Sequence, residues 1–168
     1  MERWDVCDSE GNPTGRTKAK GEDFLEGEYH VAAEIWIFNG KKQFLIQKRS
    51  SRCQQYPGVW STTAGRVKAG ETPAAGCIRE AEEEIGMKIV PKDLIHVLTL
   101  NREDKTHMIW EVYAARTDLK EEEFLLDPEE VEAVRWVSQE ELAEMIESGS
   151  IFLYPEIREV FEKVKELL

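Results

Sequence analysis

A helix is marked at both of its ends between Thr72 and Gly86, and this segment limits the possible folds more than any other. Thr72 is a favourable N-cap, and Pro73 follows at the first helical position, where a missing N–H costs no hydrogen bond. Gly86 stands where a helix commonly ends in a left-handed residue. Apolar side chains recur between them at helical spacing, at Ala74, Cys77, Ile78, Ala81 and Ile85. The sequence therefore predicts an amphipathic helix that packs against a sheet.

Segments rich in β-branched and aromatic residues lie on both sides of this helix and predict strands. Residues 1–27 predict a short hairpin followed by a polar loop. A second hairpin joins residues 30–38 to residues 44–47 through a turn at Asn39-Gly40. After the helix, strands are predicted at residues 88–89, 94–100, 106–115 and 134–137. Strands that alternate with single helices are typical of an α/β domain with a mixed sheet, here expected over residues 1–168.

Two more helices are predicted near the C-terminus. Ser138 and Glu141 have the spacing of a capping box, which opens the first of them. The second starts near Pro155, and its apolar residues recur at helical spacing, at Ile157, Val160, Phe161, Val164 and Leu168. We expect this second helix to pack its apolar face on the sheet.

The chain has 168 residues, of which 34 are acidic and 22 basic, so its formal net charge is −12. Proteins that coat nucleic acids neutralise phosphates with lysine and arginine, so this charge argues against a nucleic-acid polymer as partner. The apolar stretches are far shorter than the roughly 20 residues of a membrane helix, and the first residues do not resemble a signal peptide. Three scattered cysteines, Cys7, Cys53 and Cys77, suit reduced thiols. We expect a cytoplasmic protein that binds no membrane, and the sequence leaves open whether it is a monomer or a homodimer.

Three glutamates, Glu80, Glu83 and Glu84, stand at i, i+3 and i+4 on the predicted helix and so share one face. We expect them to point outward, because the opposite stripe faces the sheet. Like charges at this spacing repel one another unless cations or basic groups meet them. Arg79 can supply one partner, and a hard divalent cation with oxygen ligands can supply another. The alternative is a solvated acidic helix face without a ligand.

These glutamates belong to a longer pattern over residues 65–87. Its fixed and apolar positions are Gly65, Glu71, Arg79, Glu80, Ala81, Glu83, Glu84, Gly86 and Met87. The pattern resembles the Nudix box, with every fixed position filled. The resemblance implies a Nudix-type α/β/α sandwich with a mixed β-sheet, and a single Nudix hydrolase domain over residues 1–168. It also implies hydrolysis of a nucleoside diphosphate linked to another moiety, with water attacking the pyrophosphate.

The resemblance further implies Mg²⁺ or Mn²⁺ as cofactor, held by Gly65, Glu80, Glu83 and Glu84. Arg79 would orient the glutamates, and Glu83 or Glu84 would activate the water. A glutamate outside the box does this in some family members, and the candidates here are Glu111, Glu129 and Glu130. The chemistry agrees, because a divalent cation neutralises phosphate oxygens and acidifies bound water.

Residues 35–70 form a basic segment without a single Asp or Glu. Its basic residues are Lys41, Lys42, Lys48, Arg49, Arg52, Arg66 and Lys68, which leaves a charge of −19 for the rest of the chain. Such segregation favours a local positive surface for phosphates. We predict Lys48, Arg49 and Arg66 as contacts of a small-molecule diphosphate substrate.

Two other interpretations stay open. Residues 28–30, 36–39 and 57–60 resemble isopentenyl diphosphate isomerases and the isomerase-like Nudix hydrolases. Where the isomerases have their catalytic cysteine and a metal-binding histidine, this chain has Ala64 and Arg66, which argues against isomerase activity. His30 matches a metal ligand of the isomerases, but a single strand histidine is more often structural. The other interpretation is a Nudix module that binds a nucleotide without cleaving it. Such modules tend to lose box glutamates, which this chain keeps.

Overall fold

The computed structural model describes residues 1–102 and 104–168. Its strands are β1 (Arg3–Cys7), β2 (Pro13–Ala19), β3 (His30–Phe38), β4 (Phe44–Arg49), β5 (Trp60–Ser61), β6 (Thr63–Arg66), β7 (Ile95–Asn101), β8 (Met108–Arg116) and β9 (Val131–Val137). Its helices are α1 (Pro73–Ile85), α2 (Gln139–Ser148) and α3 (Ile157–Lys165).

In the described residues, β3 to β9 form a mixed sheet of seven strands, and β1 and β2 form a separate antiparallel pair. β3 is central, because it pairs in parallel with β8 and in antiparallel with both β6 and β4. β6 pairs with residues 32–35, and β4 pairs with Ile37 and Phe38. β4 and β6 therefore follow one another along the same edge of β3, and their side chains meet at Gln47 and Thr63.

Apolar side chains fill both faces of this sheet. On one face, Ile35 and Ile37 pack with Cys77, Ala81 and Ile85 of α1. The other face packs against α2 and α3, through residues that include Trp36, Phe44, Val112, Leu142 and Phe161. Helices lie on both faces, which confirms the predicted α/β/α layering. None of the described helices is long and apolar enough to cross a membrane.

The predicted ends of α1 are confirmed. Thr72 Oγ1 accepts a hydrogen bond from the backbone N–H of Ala75 at 3.2 Å. Gly86 ends the helix with φ at 68°, and its N–H donates to the carbonyl oxygen of Glu82 at 3.0 Å. Ser138 caps α2 in the same manner, as its capping-box spacing predicted. Local side-chain chemistry therefore sets where these helices start.

One predicted strand is missing from the structure, and several element ends differ from the sequence prediction, such as the start of β9 at Val131 instead of residue 134. Residues 88–89 are irregular, so the strand predicted there is wrong. Pro91 follows closely and has no N–H to donate to a neighbouring strand. The last helix begins at Ile157 rather than near Pro155. Both predicted hairpins, β1 with β2 and β3 with β4, are present.

Candidate active site

α1 carries the three glutamates of the sequence pattern, and they differ in exposure. Glu83 is half exposed, Glu80 is mostly covered, and Glu84 is 7% exposed. The expectation that all three point outward is therefore wrong. α1 crosses the place where β4 and β6 meet, so Glu80 and Glu84 lie over polar parts of the sheet instead of facing water.

Glu84 is held from inside the sheet. Its Oε2 accepts a hydrogen bond from Nε2 of Gln47 at 2.6 Å, and Oε1 of Gln47 accepts one from Thr63 Oγ1 at 2.6 Å. Burial raises the pKa of Glu84 to about 8; the hydrogen bond from Gln47 opposes this shift, and the charges of Glu80 and Glu130 add to it. A buried carboxylate with so little positive charge around it is suited to binding a cation.

Glu80 lies directly against the backbone of Gly65 in β6. A Cβ at position 65 would stand 2.1 Å from Cδ of Glu80, so glycine is what leaves room for this carboxylate. Burial raises the pKa of Glu80, and the bond from Arg79 opposes the shift. The first glycine of the sequence pattern and its central glutamate therefore depend on each other.

Arg79 connects the acidic residues of the site. Its Nε and Nη2 bind the two carboxylate oxygens of Glu71 at 2.7 and 3.0 Å. Its Nη1 binds Oε1 of Glu80 at 2.7 Å and Oε2 of Glu83 at 3.0 Å. Nη2 also donates to the carbonyl oxygen of Arg66 at 3.0 Å, at the end of β6. Because this guanidinium is mostly buried, it fixes the directions of all three carboxylates.

The donor atoms of this site are carboxylate oxygens, which are the ligands that Mg²⁺ and Mn²⁺ prefer. Within residues 1–102 and 104–168, no three acidic, histidine or cysteine side chains converge into a closed metal-binding group. Arg79 holds Glu80 and Glu83, whereas Gln47 holds Glu84. Mg²⁺ usually keeps several waters and takes one or two carboxylates plus substrate phosphates, so an open set of ligands fits it.

Of the three glutamates outside the pattern, Glu130 acts on the site directly, because its charge raises the pKa of Glu84. The segment that carries it is attached to α1, since the N–H of Asp127 donates to the carbonyl oxygen of Glu84 at 2.9 Å. Glu129 instead forms an ion pair with an arginine. Glu111 is hydrogen-bonded to side chains of β7. Among these three candidates, the charge of Glu130 is the one that affects Glu84, and activation of a water by any of them stays a prediction.

The three predicted phosphate contacts lie in different places. Arg49 is close enough to Glu84 for its charge to lower the pKa of that carboxyl. Lys48 projects to the opposite face of the sheet from Gln47 and pairs with a β9 glutamate at 3.4 Å. Arg66 stacks its guanidinium on the ring of Trp4, 4.2 Å from the centroid. Arg49 is the best placed of the three, and phosphate binding stays a prediction for each.

The acid-free segment of the sequence is less positive in the folded chain than its composition indicates. Acids from other segments pair with three of its cations, in Lys48–Glu132, Arg52–Glu129 and Lys68–Glu83. Each acid is distant in the sequence from its basic partner or lies on another element. The predicted positive surface is therefore reduced by ion pairs that only folding creates.

Sequence patterns missed two buried polar residues at the site, Gln47 and Thr63, and a third, Glu34, whose hydrogen bonds go elsewhere. The carboxylate of Glu34 accepts hydrogen bonds from Thr62 Oγ1 at 2.5 Å and from the Tyr154 hydroxyl at 3.0 Å, and burial raises its pKa. The available signal was a polar residue inside an apolar strand, which Glu34 and Gln47 both provide.

His30 is a packing residue. Its ring stacks on Phe24 and Trp4, with centroids 4.6 and 5.5 Å away. Its Nε2 donates to the carbonyl oxygen of Thr106 at 3.1 Å. Burial lowers its pKa to about 4, with the charge of Arg66 adding to the shift. These contacts agree with the structural interpretation of this histidine.

Comparison with known proteins decides the family. Residues 28–160 match the NUDIX domain family. The chain belongs to the Nudix family. An uncharacterized Nudix hydrolase of Listeria monocytogenes is 32% identical over 162 residues, covering 96% of this chain and 94% of that protein. Nudix hydrolase 3 of Arabidopsis thaliana is 36% identical over 152 residues, covering 83% of this chain but 20% of that protein. This Nudix protein is therefore an enzyme of the hydrolase type for which these relatives are named.

Solved structures show the same fold. DR0079 from Deinococcus radiodurans superposes on this Nudix protein with a TM-score of 0.77 at 19% identity, covering 96% of this chain and 98% of that one. The NUDIX domain of Shewanella oneidensis NrtR, complexed with ADP ribose, gives a TM-score of 0.61 at 15% identity, over 82% and 87% of the two chains. At these identities the likeness shows the fold alone.

Isopentenyl-diphosphate Delta-isomerases match a shorter part of this Nudix protein. The Escherichia coli K12 enzyme is 29% identical over 92 residues, covering 54% of this chain and 50% of that protein. This partial match agrees with the isomerase-like segments in the sequence. Both kinds of relative are consistent with one superfamily.

Proposed function

We propose that this Nudix protein hydrolyses a nucleoside diphosphate linked to another moiety, with Mg²⁺ or Mn²⁺ bound by Glu80, Glu83, Glu84 and the carbonyl oxygen of Gly65. The observation that carries the proposal is the buried, cation-poor carboxylate of Glu84, set on one helix with two further glutamates. The cation, when bound, neutralises phosphate oxygens and acidifies a water.

The protein's own residues have distinct parts in this proposal. Arg79 keeps Glu80 and Glu83 in fixed directions through its hydrogen bonds. Arg49 contacts a substrate phosphate beside Glu84. The proton of the attacking water goes to Glu83, Glu84 or Glu130, and Glu130 is included because its charge acts on Glu84.

Two solved neighbours support the substrate class. The NrtR domain is complexed with ADP ribose. A Caenorhabditis elegans Ap4A hydrolase binary complex superposes with a TM-score of 0.57 at 19% identity. ADP ribose is the ligand of the first protein, and Ap4A is the compound for which the second is named a hydrolase. Both compounds are nucleosides joined to another moiety through phosphates, so we infer a small-molecule diphosphate substrate for this chain.

The test is a panel of nucleoside diphosphate derivatives with product identification. We expect a monophosphate product to be released, and we expect this hydrolysis to require Mg²⁺ or Mn²⁺. Glu84→Gln should lower kcat/KM by about 100-fold or more, since it removes a charged ligand. The matched control is Glu82→Gln on the exposed side of α1, which should keep wild-type activity.

Other results of the same panel would contradict the proposal. Near-normal activity of Glu84→Gln would refute the metal assignment. Tight binding without turnover would favour the nucleotide-sensing module. Sustained conversion of isopentenyl diphosphate would favour the isomerase.

The N-terminal hairpin belongs, in our proposal, to the same domain over residues 1–168. Cys7 and Tyr29 exchange backbone hydrogen bonds at 2.7 and 2.9 Å, and Trp4 lies beneath Arg66 of β6. Removing residues 1–19 should expose His30 and lower stability, which denaturant unfolding measures. Unchanged stability would show that the hairpin is an independent unit.

A further inference from the structure

Two buried side chains outside the Nudix box, Thr63 and Gln47, are connected to Glu84 by hydrogen bonds. Thr63 Oγ1 donates to Oε1 of Gln47, and Nε2 of Gln47 donates to Oε2 of Glu84, each at 2.6 Å. Gln47 is 2% exposed and Thr63 is 4% exposed. Water therefore has little access to either of them, and their hydrogen bonds define their orientation.

The amide of Gln47 sits where an apolar residue would be ordinary. Its neighbours on β4, Leu45 and Ile46, are buried core residues. A buried amide is unfavourable unless its oxygen and nitrogen are both bonded, and here each has one partner. The nitrogen can only donate, so it faces a carboxylate oxygen, while the hydroxyl of Thr63 supplies the proton for the amide oxygen.

The consequence for Glu84 is a difference between its two oxygens. Oε2 is tied to Gln47, whereas Oε1 accepts no hydrogen bond from the described residues. A ligand with one oxygen tied inside the sheet presents the other in a fixed direction. Partners of this kind orient metal-binding carboxylates and affect metal affinity without touching the metal.

We propose that Gln47 and Thr63 are positioning residues that direct Oε1 of Glu84 toward the bound divalent cation. The proposal rests on the proposed function, because it presumes that Glu84 is a metal ligand. Thr63 acts only through Gln47. The hydroxyl of Thr63 binds the amide oxygen of Gln47 and so keeps the amide from rotating. A rotated amide would place its oxygen against the carboxylate of Glu84, and the two oxygens would repel each other.

The experiment measures Mn²⁺ binding to the full chain by calorimetry, in the absence of substrate. Gln47→Leu keeps the volume and removes the amide, and we expect it to weaken Mn²⁺ binding about 10- to 100-fold. Thr63→Val keeps the shape and removes the hydroxyl, with an expected loss of about 10-fold. Thr63→Ser is the matched control that keeps the hydroxyl and should stay within about 2-fold of wild type.

A double variant separates positioning from ordinary packing. Because Thr63 acts through Gln47, adding Thr63→Val to Gln47→Leu should cause no further loss of Mn²⁺ affinity. Additive losses would overturn the proposal, as would wild-type affinity in a folded Gln47→Leu variant. If Gln47→Leu fails to fold, the comparison of Thr63→Val with Thr63→Ser decides, and equal affinities of these two would refute the role of Thr63.

The outcomes also separate this proposal from the proposed function. Wild-type protein that binds Mn²⁺ but hydrolyses no substrate would contradict the hydrolase proposal while the affinity series still tests the positioning residues. Wild-type protein that binds no Mn²⁺ would overturn both.

Discussion

Glu84 is a residue at which stability and the proposed activity oppose one another. Folding raises its pKa from the ordinary value of 4.5 to about 8, mainly through burial. Between these pH values the unfolded chain has released the proton and the folded protein keeps it, so stability falls as the pH rises. Metal binding requires the ionised form, which the apo protein therefore holds at a cost.

Removing this charge should stabilise the apo protein. We expect Glu84→Gln to raise the free energy of unfolding by about 1–3 kcal/mol at pH 8, because an amide needs no ionisation in the buried site. Urea unfolding in the presence of a chelator measures it, with Glu82→Gln as the exposed control. A less stable Glu84→Gln variant would contradict the burial argument.

Gly65 gives a second prediction for a single residue. Gly65→Ala places a methyl group where the carboxylate of Glu80 lies. We expect a loss of about 1–3 kcal/mol in stability from overpacking and a fall of about 100-fold in kcat/KM from the displaced glutamate. Chemical unfolding and steady-state kinetics check the two effects, and wild-type kinetics would show that Glu80 moves without consequence.

The ends of the helices allow a matched test of elements. Gly86 after α1 and Gly149 after α2 both have positive φ, at 68° and 72°. A Cβ at Gly86 would also stand 2.7 Å from Cβ of Leu125, whereas at Gly149 the nearest atom is 3.7 Å away. Gly149→Ala should cost about 1 kcal/mol, and Gly86→Ala about 1–3 kcal/mol more. Equal losses of unfolding free energy in the two variants would mean that the segment at Leu125 moves aside without cost.

The contact between the N-terminal hairpin and β3 predicts a pH dependence. His30 has a folded pKa of about 4 against an ordinary 6.5, so in this window the unfolded chain binds a proton that the folded protein does not. Stability should therefore fall as the pH drops from 6.5 to 4, by up to about 1.4 kcal/mol per pH unit from this residue. In unfolding curves measured at several pH values, His30→Phe should not show this fall in stability between pH 6.5 and 4. The control His96→Gln, which replaces an exposed histidine, should show the same fall as wild type.

At the scale of the whole molecule, the net charge is −12, and the buried carboxylate of Glu84 has little positive charge around it. A ligand that binds only the folded state stabilises it by mass action. At a hundred times its Kd, Mg²⁺ should raise the free energy of unfolding by about 2.7 kcal/mol, or Tm by about 5–10 °C. Calorimetry should show this shift in wild type and its loss in Glu84→Gln or after chelation. An equal shift in both proteins would indicate binding elsewhere.

The sequence predicted the three helices and most strands of this fold because their signals are local, but it did not predict β5 and β6. Thr72, Gly86 and Ser138 mark helix ends through their own backbone and side-chain chemistry, and the structure agrees. The strand predicted at Lys88 and Ile89 failed because a two-residue segment does not specify a strand with which to pair. Pairing between β3 and β8 in parallel is a long-range choice that no local pattern fixes.

The sequence predicted which residues form the candidate site but not the directions in which the glutamate side chains point. The pattern named Glu80, Glu84 and Arg79, yet placed the glutamates outward, because amphipathic spacing assumes that polar side chains face water. That assumption fails here because the sheet has polar groups and space for two of the glutamates. Gln47 binds Glu84 by a hydrogen bond, and Gly65 leaves room for Glu80. These partners come from separate strands, so only the folded chain brings them together.

The backbone of α1 ends in bonds to a loop, since Leu125 donates to the carbonyl oxygen of Ile85 at 3.1 Å and Asp127 to that of Glu84 at 2.9 Å. These two amides therefore exchange with solvent deuterium only when the loop separates from the helix. A cation bound to Glu84 would slow that separation. Slower deuterium uptake at residues 125 and 127 would therefore indicate that a cation occupies the site, although these two amides do not contact it.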